Sequence, residues 1–289
     1  MFKCKWKISG HQGPVYAISW NGIHLYSSSS DKYVARWDLE TGEQDSTFTV
    51  KLDHAAYCIE SIANYCFIGC TDGTFYALDT PSKKVLWEVN FAGNTWSAIC
   101  YIPIKNWVVV GDFKGNVIVF DAETGKRIIH LPLAVGKIRK IVSKNSNLYV
   151  STQDAGIHVF DLSNWNELVR WTPHETGCRC FGIDSITENL VSGGRDGRIV
   201  VSDSNFSVIH RIPAHYQAIY GLVQLDDYWI SCSMDKSIKV WDASLTRVIQ
   251  KIDVKSQGHN RSVNDLVMIN QSTFASCSDD KTIIIWNKI

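Results

Sequence analysis

The chain lacks net charge: 29 basic residues balance 29 acidic ones. Binding through phosphate neutralisation ordinarily needs a basic excess, so the balance argues against a global nucleic-acid footprint and leaves room only for local patches. Long apolar runs are also missing. The opening Met1-Phe2-Lys3-Cys4-Lys5-Trp6-Lys7 has no signal-peptide core, and no segment reaches the roughly 18 to 20 apolar residues of a membrane span, so membrane insertion is not expected. Catalytic and cofactor signatures are absent too: no Gly-Lys-Ser/Thr phosphate loop, no Gly-x-Ser-x-Gly elbow, no His-Glu-x-x-His and no Cys-x-x-Cys. No cofactor and no metal site are expected, and neither an F-box-like helix nor a coiled coil accompanies the rest.

What is there is apolar and repetitive. Hydrophobic residues make up 45% of 289 residues, enough for a large core. Nine cysteines is an odd number, and Cys58, Cys66, Cys70, Cys100, Cys232 and Cys277 lie in apolar strand-like runs. That suits small buried residues better than disulfides and implies a reducing compartment, cytoplasmic or nuclear. Cys178 and Cys180 would face the same side of a strand, where a metal or redox pair competes with plain burial; His174 is the one ligand type nearby in sequence.

One hairpin recurs. Ile230 to Ala243 reads as a β-branched run, a turn at Met234-Asp235-Lys236-Ser237, and an alternating run to Trp241-Asp242. Phe274 to Asn287 and Leu25 to Asp38 repeat it, with the turn aspartate six residues before the tryptophan each time. Aligning the chain on the residue that ends each hairpin gives Asp38, Asp79, Asp121, Asp161, Asp203, Asp242 and Asn287, with spacings of 41, 42, 40, 42, 39 and 45. Seven units of period-two alternation, punctuated by Gly, Asn and Asp, predict an all-β, seven-bladed β-propeller of four-stranded antiparallel blades.

Trp37-Asp38 and Trp241-Asp242, with Gly10-His11 and Gly258-His259 upstream, resemble the signature dipeptides of WD-repeat β-propellers along the whole chain. That resemblance implies a structural tetrad of His, strand-b Ser or Thr, turn Asp and strand-c Trp in each complete blade. By position these are His11, Ser29, Asp31 and Trp37; His215, Ser233, Asp235 and Trp241; and His259, Ser278, Asp280 and Trp286. The middle blades depart from the pattern. Blade 2 keeps His54 and Asp72 with Leu78 for Trp; blade 3 has Asn94, Lys114 and Phe120; blade 4 has Asp154 and Phe160; blade 5 keeps His174 and Asp196 with Ser202 for Trp. These four are expected to rest on apolar packing more than on tetrads. With about one such histidine per blade, they cannot converge on a single ion.

The chain stops two residues after Trp286-Asn287, so the outer strand of the last blade is assigned to the amino terminus. Residues 1–9 then form that strand, and the blades occupy 10–50, 51–90, 91–132, 133–172, 173–212, 213–253 and 254–289. Closure of this kind removes two exposed sheet edges.

The resemblance further implies that the residue just inside strand a lies near the central channel on the narrower face. Those residues are Tyr16, Tyr57, Ser97, Arg139, Arg179, Tyr220 and Asn264, and the residues before the turn aspartates, including Arg195 and Met234, are expected on the same face. Tyr and Arg are the types most enriched at binding hot spots. Lys137, Arg139, Lys140, Arg179, Arg195 and Arg198 all fall in blades 4 and 5, which suggests a basic sector. The function expected is a non-catalytic protein-protein interaction scaffold, or a substrate or peptide receptor, within an intracellular multiprotein complex. A monomeric propeller of this kind would bind other proteins, acidic or phosphorylated segments among them. The alternative is a nucleic-acid-binding propeller using the basic sector; a propeller enzyme ranks below both. None of the Trp-Asp or Trp-Asn pairs is followed by the Arg of one ubiquitin-ligase adaptor-docking signature.

Overall fold

The computed structural model describes residues 1–133, 135–154 and 156–289. Strand β1 (Phe2–Ser9) is followed by blade 1, formed by β2 (Val15–Trp20), β3 (Leu25–Ser29), β4 (Tyr33–Trp37) and β5 (Gln44–Lys51). Blade 2 holds β6 (Ala56–Ile62), β7 (Tyr65–Cys70), β8 (Thr74–Asp79) and β9 (Val85–Asn90). Blade 3 holds β10 (Trp96–Ile102), β11 (Trp107–Asp112), β12 (Asn116–Asp121) and β13 (Arg127–Pro132). Blade 4 holds β14 (Ile138–Lys144), β15 (Asn147–Thr152), β16 (Gly156–Asp161) and β17 (Glu167–Trp171). Blade 5 holds β18 (Cys178–Ile183), β19 (Leu190–Gly194), β20 (Arg198–Ser202) and β21 (Val208–Pro213). Blade 6 holds β22 (Ile219–Leu225), β23 (Tyr228–Ser233), β24 (Ile238–Asp242) and β25 (Val248–Ile252). Blade 7 holds β26 (Val263–Asn270), β27 (Thr273–Ser278) and β28 (Thr282–Lys288), and β1 is its outer strand.

Every blade is a four-stranded antiparallel sheet whose strands, here a to d from the channel outwards, follow chain order except in blade 7, where strand d is β1. A single such sheet has two apolar faces and can bury them only against neighbours. The core accordingly divides into seven layers, one between each pair of adjacent blades. Ile230, Val240, Phe274 and Trp286 fill the layer between blades 6 and 7. Ile18, Leu25, Trp37, Ala275 and Ile283 fill the one that joins blade 7 to blade 1. Eight of the nine cysteines are buried and all nine are free.

Closure uses three blades. β1 runs antiparallel to β28 from Phe2 opposite Lys288 to Ser9 opposite Thr282. The Phe2 ring packs 5.2 Å from Phe274 and 6.1 Å from Tyr228, while the Gln250 side chain of blade 6 accepts from Phe2 N at 2.7 Å and donates to its carbonyl at 2.8 Å. On the other side, Trp6 Nε1 and Lys5 Nζ both donate to the Leu39 carbonyl of blade 1.

One irregularity repeats in all seven blades. The a–b ladder slips by one residue near the start of strand a, leaving Tyr16, Tyr57, Ser97, Arg139, Arg179, Tyr220 and Asn264 unpaired in the register. Such bulges bend a strand and re-aim one side chain. Here they turn seven side chains towards the channel.

Candidate protein-binding site at the channel mouth

The recurring polar residues form a buried hydrogen-bonded chain, and its serine is not the expected one. Ser27 is the centre in blade 1, where Trp37 Nε1 donates to Ser27 Oγ at 2.7 Å and His11 Nε2 lies 2.7 Å from the same oxygen. His11 Nδ1 reaches Asp31 at 2.8 Å. Blades 6 and 7 repeat this through Ser231 and Ser276. Ser29, Ser233 and Ser278 lie on the same face of strand b, but two residues, roughly 7 Å, nearer the turn. There they accept the backbone N–H of Asp31, Asp235 and Asp280 and hold the turn.

Protonation in this chain is fixed by its partners. Burial alone would raise the Asp235 carboxyl, but hydrogen bonds from His215 and Ser237 outweigh it and hold the group well below the usual carboxylate range. Burial lowers His215, so the imidazole is neutral. Its Nδ1–H therefore donates to Asp235 at 3.0 Å and its Nε2 accepts from the Ser231 hydroxyl at 2.8 Å. Ser, His and Asp stand in the order of a hydrolase triad, yet Ser231 is fully buried and its oxygen already accepts from Trp241 Nε1 at 2.9 Å. A serine so placed cannot reach a substrate.

The middle blades rely on more than apolar packing. In blade 3 the carboxylate is Asp112, two residues before the expected Lys114. It is buried, accepts from Asn94 Nδ2 at 2.6 Å and also receives the N–H groups of Lys114 and Asn116. Blade 5 keeps His174 against Asp196 at 3.1 Å and Ser192 at 3.0 Å, with Ser202 buried where a Trp would sit. In blade 2, His54 is half-exposed and 3.6 Å from Asp72. Cys178 and Cys180 are buried and their thiols are pushed up by burial, Cys180 to about 12. No cluster of three His, Cys, Asp or Glu with metal-binding geometry occurs among the described residues.

The seven bulged residues line one cavity of about 290 Å³ at the channel mouth. Tyr16 and Tyr57 pack with ring centroids 5.1 Å apart, and Tyr57 meets Phe113 edge-on at 5.1 Å. This aromatic arc spans blades 1 to 3. The facing arc is cationic. Lys137 Nζ lies 3.5 Å above the Phe113 ring, Arg179 lies 5.4 Å over the Tyr220 ring, and Arg139 donates to the Gln153 side chain. Nε of both arginines is buried without a partner, and among the described residues neither is paired with a carboxylate. Burial and the neighbouring Arg179 charge bring the Arg139 guanidinium down to about 10. Burial and then the two guanidinium groups lower the Lys137 amine as well.

Other expected members of the site do different work. Ser97 donates to the Ile138 carbonyl of the next blade at 2.7 Å, and Asn264 donates to the Val15 carbonyl at 2.9 Å and to Asp279 at 2.8 Å. Both stitch neighbouring blades. Met234 is 44% exposed on the blade 6 turn, beside the fully exposed Tyr216, whose N–H donates to Asp235. Arg195 lies in a separate cleft with Asp154, Glu175 and Asp196, so the basic sector is not one continuous patch. Gln153 forms a wall of that cleft too.

Below the rim the wall changes character. One residue further along strand a come Ala17, Cys58, Ala98, Cys180 and Gly221, interrupted by Lys140 and Asp265. Lys140 offsets the buried carboxyl of Asp265, which burial raises and which accepts from Ile18 N at 3.2 Å. One residue deeper the lining is aliphatic and aromatic: Ile59, Ile99, Phe181, Leu222 and Leu266.

Comparison with known proteins divides the chain where the tetrads divide it. The family model described as WD domain, G-beta repeat matches residues 2–38, 206–242 and 251–287, the segments that end in Trp-Asp or Trp-Asn. A model described as outer membrane protein assembly factor BamB matches residues 71–211, where the tryptophan is replaced. Shk1 kinase-binding protein 15 of Schizosaccharomyces pombe is 24% identical over 258 residues, covering 86% of this chain and 73% of that protein. A striatin homolog of Dictyostelium discoideum is 22% identical over 303 residues, covering 97% and 34%. Human pre-mRNA-processing factor 17 is 24% identical over 259 residues, covering 83% and 44%. The chain thus spans between a third and three quarters of the length of these relatives.

Proposed function

We propose that this chain, a WD-repeat β-propeller, is a non-catalytic protein-interaction scaffold within a multiprotein complex, and that its contact surface is the channel mouth. The observation that carries the reading is the pair Arg139 and Arg179: two guanidinium groups on neighbouring bulges, each with a buried, unpartnered Nε. An unpaired cation at the edge of a cavity is costly unless something arrives to pair with it. An acidic or phosphorylated segment of a partner supplies that group, while Tyr16, Tyr57 and Tyr220 add aromatic contact area. One relative is named for binding a kinase, which accords with an adaptor role. Nine unpaired cysteines support a reducing, intracellular setting.

Nucleic-acid binding is the weaker reading, because Asp154, Glu175 and Asp196 interrupt the basic sector and net charge is zero. The test is the double substitution Arg139→Glu with Arg179→Glu, compared with the parent for recovery of bound proteins by affinity purification and mass spectrometry. Loss of partners from a variant that keeps the parent's melting temperature is the expected result. Recovery of the same partners in the same amounts sinks the proposal.

A further inference from the structure

The mouth is layered, and the order of its layers restricts what can fill it. Charge sits at the rim, on Arg139 and Arg179, with the Asp279 carboxylate, which accepts from Asn264, also on the lining. Directly beneath lies a ring of small side chains in which Lys140 and Asp265 offset one another, and beneath that an apolar floor. Resting on the reading of the mouth given above, we propose that its ligand is the carboxyl terminus of a partner chain, with the α-carboxylate between Arg139 and Arg179 and an apolar last side chain in the cavity below.

The stereochemistry of the alternatives argues for this choice. An internal glutamate or phosphoserine carries its charge at the tip of its side chain. Entering the cavity tip first, it would take that charge past the arginines to a ring where Lys140 already offsets Asp265, and on to the aliphatic floor, at the cost of burying an ion without a partner of its own. Lying across the rim instead, it would leave about 290 Å³ unfilled. A terminal residue avoids both problems, because its carboxylate and its side chain branch from the same Cα. The anion can stay at the rim while the side chain turns inwards, as in other modes of terminal-carboxylate capture. The two guanidinium groups stand on successive blades, Arg139 beside the Tyr57 side chain and Arg179 over the Tyr220 ring. The small side chains of the second ring leave width for a Leu-, Met- or Phe-sized group.

The experiment compares two matched libraries of fluorescein-labelled octapeptides, randomised at the last three positions, one with free carboxyl termini and one amidated. Binding to the full chain is read by fluorescence anisotropy. A third, amidated set carries internal glutamate or phosphoserine. Free-acid peptides ending in Leu, Ile, Val, Met or Phe are expected to bind, and amidation to weaken them roughly tenfold or more through the lost charge-assisted hydrogen bonds. Arg139→Gln with Arg179→Gln should have the same effect. The amidation comparison uses the parent protein and so does not depend on any variant folding. Equal binding of free and amidated peptides overturns the proposal, as does failure of every free-acid peptide to bind. If only the internal glutamate or phosphoserine set binds, and does so through Arg139 and Arg179, the anionic mouth stands and the terminal-carboxylate assignment falls.

Discussion

At the scale of single residues, Ser231 serves two partners at once. Its oxygen accepts from Trp241 and its hydroxyl donates to His215, so Ser231→Ala strands two buried polar atoms. Ser233, two residues on, leaves only turn contacts behind when removed. We expect Ser231→Ala to cost about 2 to 4 kcal/mol and Ser233→Ala about 1 kcal/mol in urea-denaturation measurements. The reverse ranking would remove Ser231 from the centre of the network. Acid should also unfold the protein. His174 and His215 are lowered by burial, so the unfolded chain takes up protons near pH 6.5 that the folded one refuses. Asp235 and Asp280 are held low by their histidine partners despite burial, and their contribution is lost only as pH falls further, through their folded values. Both signs agree. Melting temperature should be level above about pH 7 and decline steadily below about 6; a rise between pH 7 and 5 contradicts the assignment. The Trp, His and Asp positions were legible in the sequence because they recur at fixed spacing. The serine was not, because neighbouring serines on one strand face look alike until the structure shows which hydroxyl the indole N–H reaches.

At the scale of elements, β1 belongs to three blades through its ladder with β28, the Gln250 clasp and the Leu39 carbonyl. Deleting residues 1–8 removes the buried Phe2 and Ile8 side chains and exposes the edge of β28. Loss of the two side chains alone should cost about 4 kcal/mol or more. A truncated chain that melts within a degree or two of the parent would falsify this account of closure. Smaller elements are held by close backbone approach. A Cβ on Gly177, at φ +95°, would stand 1.6 Å from the Gln153 carbonyl oxygen, so Gly177→Ala should displace the turn that carries Gln153 and lower the melting temperature by several degrees, roughly. Seven blades and terminal closure were readable from period and alternation. The polar anchor of blade 3 was not, because Asp112 does its work from the end of strand b, outside the six-residue spacing that revealed the others.

At the scale of the whole molecule, the core is seven repeated layers and the distinctive chemistry is gathered where strand a meets the mouth. The ring of candidate residues and the gathering of cations in blades 4 and 5 were legible from alignment of the repeats, but the packing of Tyr16, Tyr57 and Phe113 into one aromatic arc, with Lys137 over Phe113, depends on side-chain contacts between blades. The same holds for Arg195, whose carboxylate neighbours come from separate turns. Binding by the mouth should weaken with salt but far less steeply than nucleic-acid binding, since two guanidinium groups rather than a row of phosphate contacts carry it. A salt slope approaching that of a multi-phosphate complex would favour the nucleic-acid reading.

The seven bulges have one more implication. Because each bulged residue stands outside the ladder, the five that do not stitch blades, Tyr16, Tyr57, Arg139, Arg179 and Tyr220, are answerable more to the channel than to the sheet that bears them, whereas Ser97 and Asn264 hold neighbouring blades. Frame and recognition are thereby uncoupled: exchanging Tyr16 with Arg179 should leave stability nearly unchanged while rotating the chemical pattern around the pore. A ring of this design can acquire a new specificity by rewriting five letters of its sequence, with the architecture that displays them left alone.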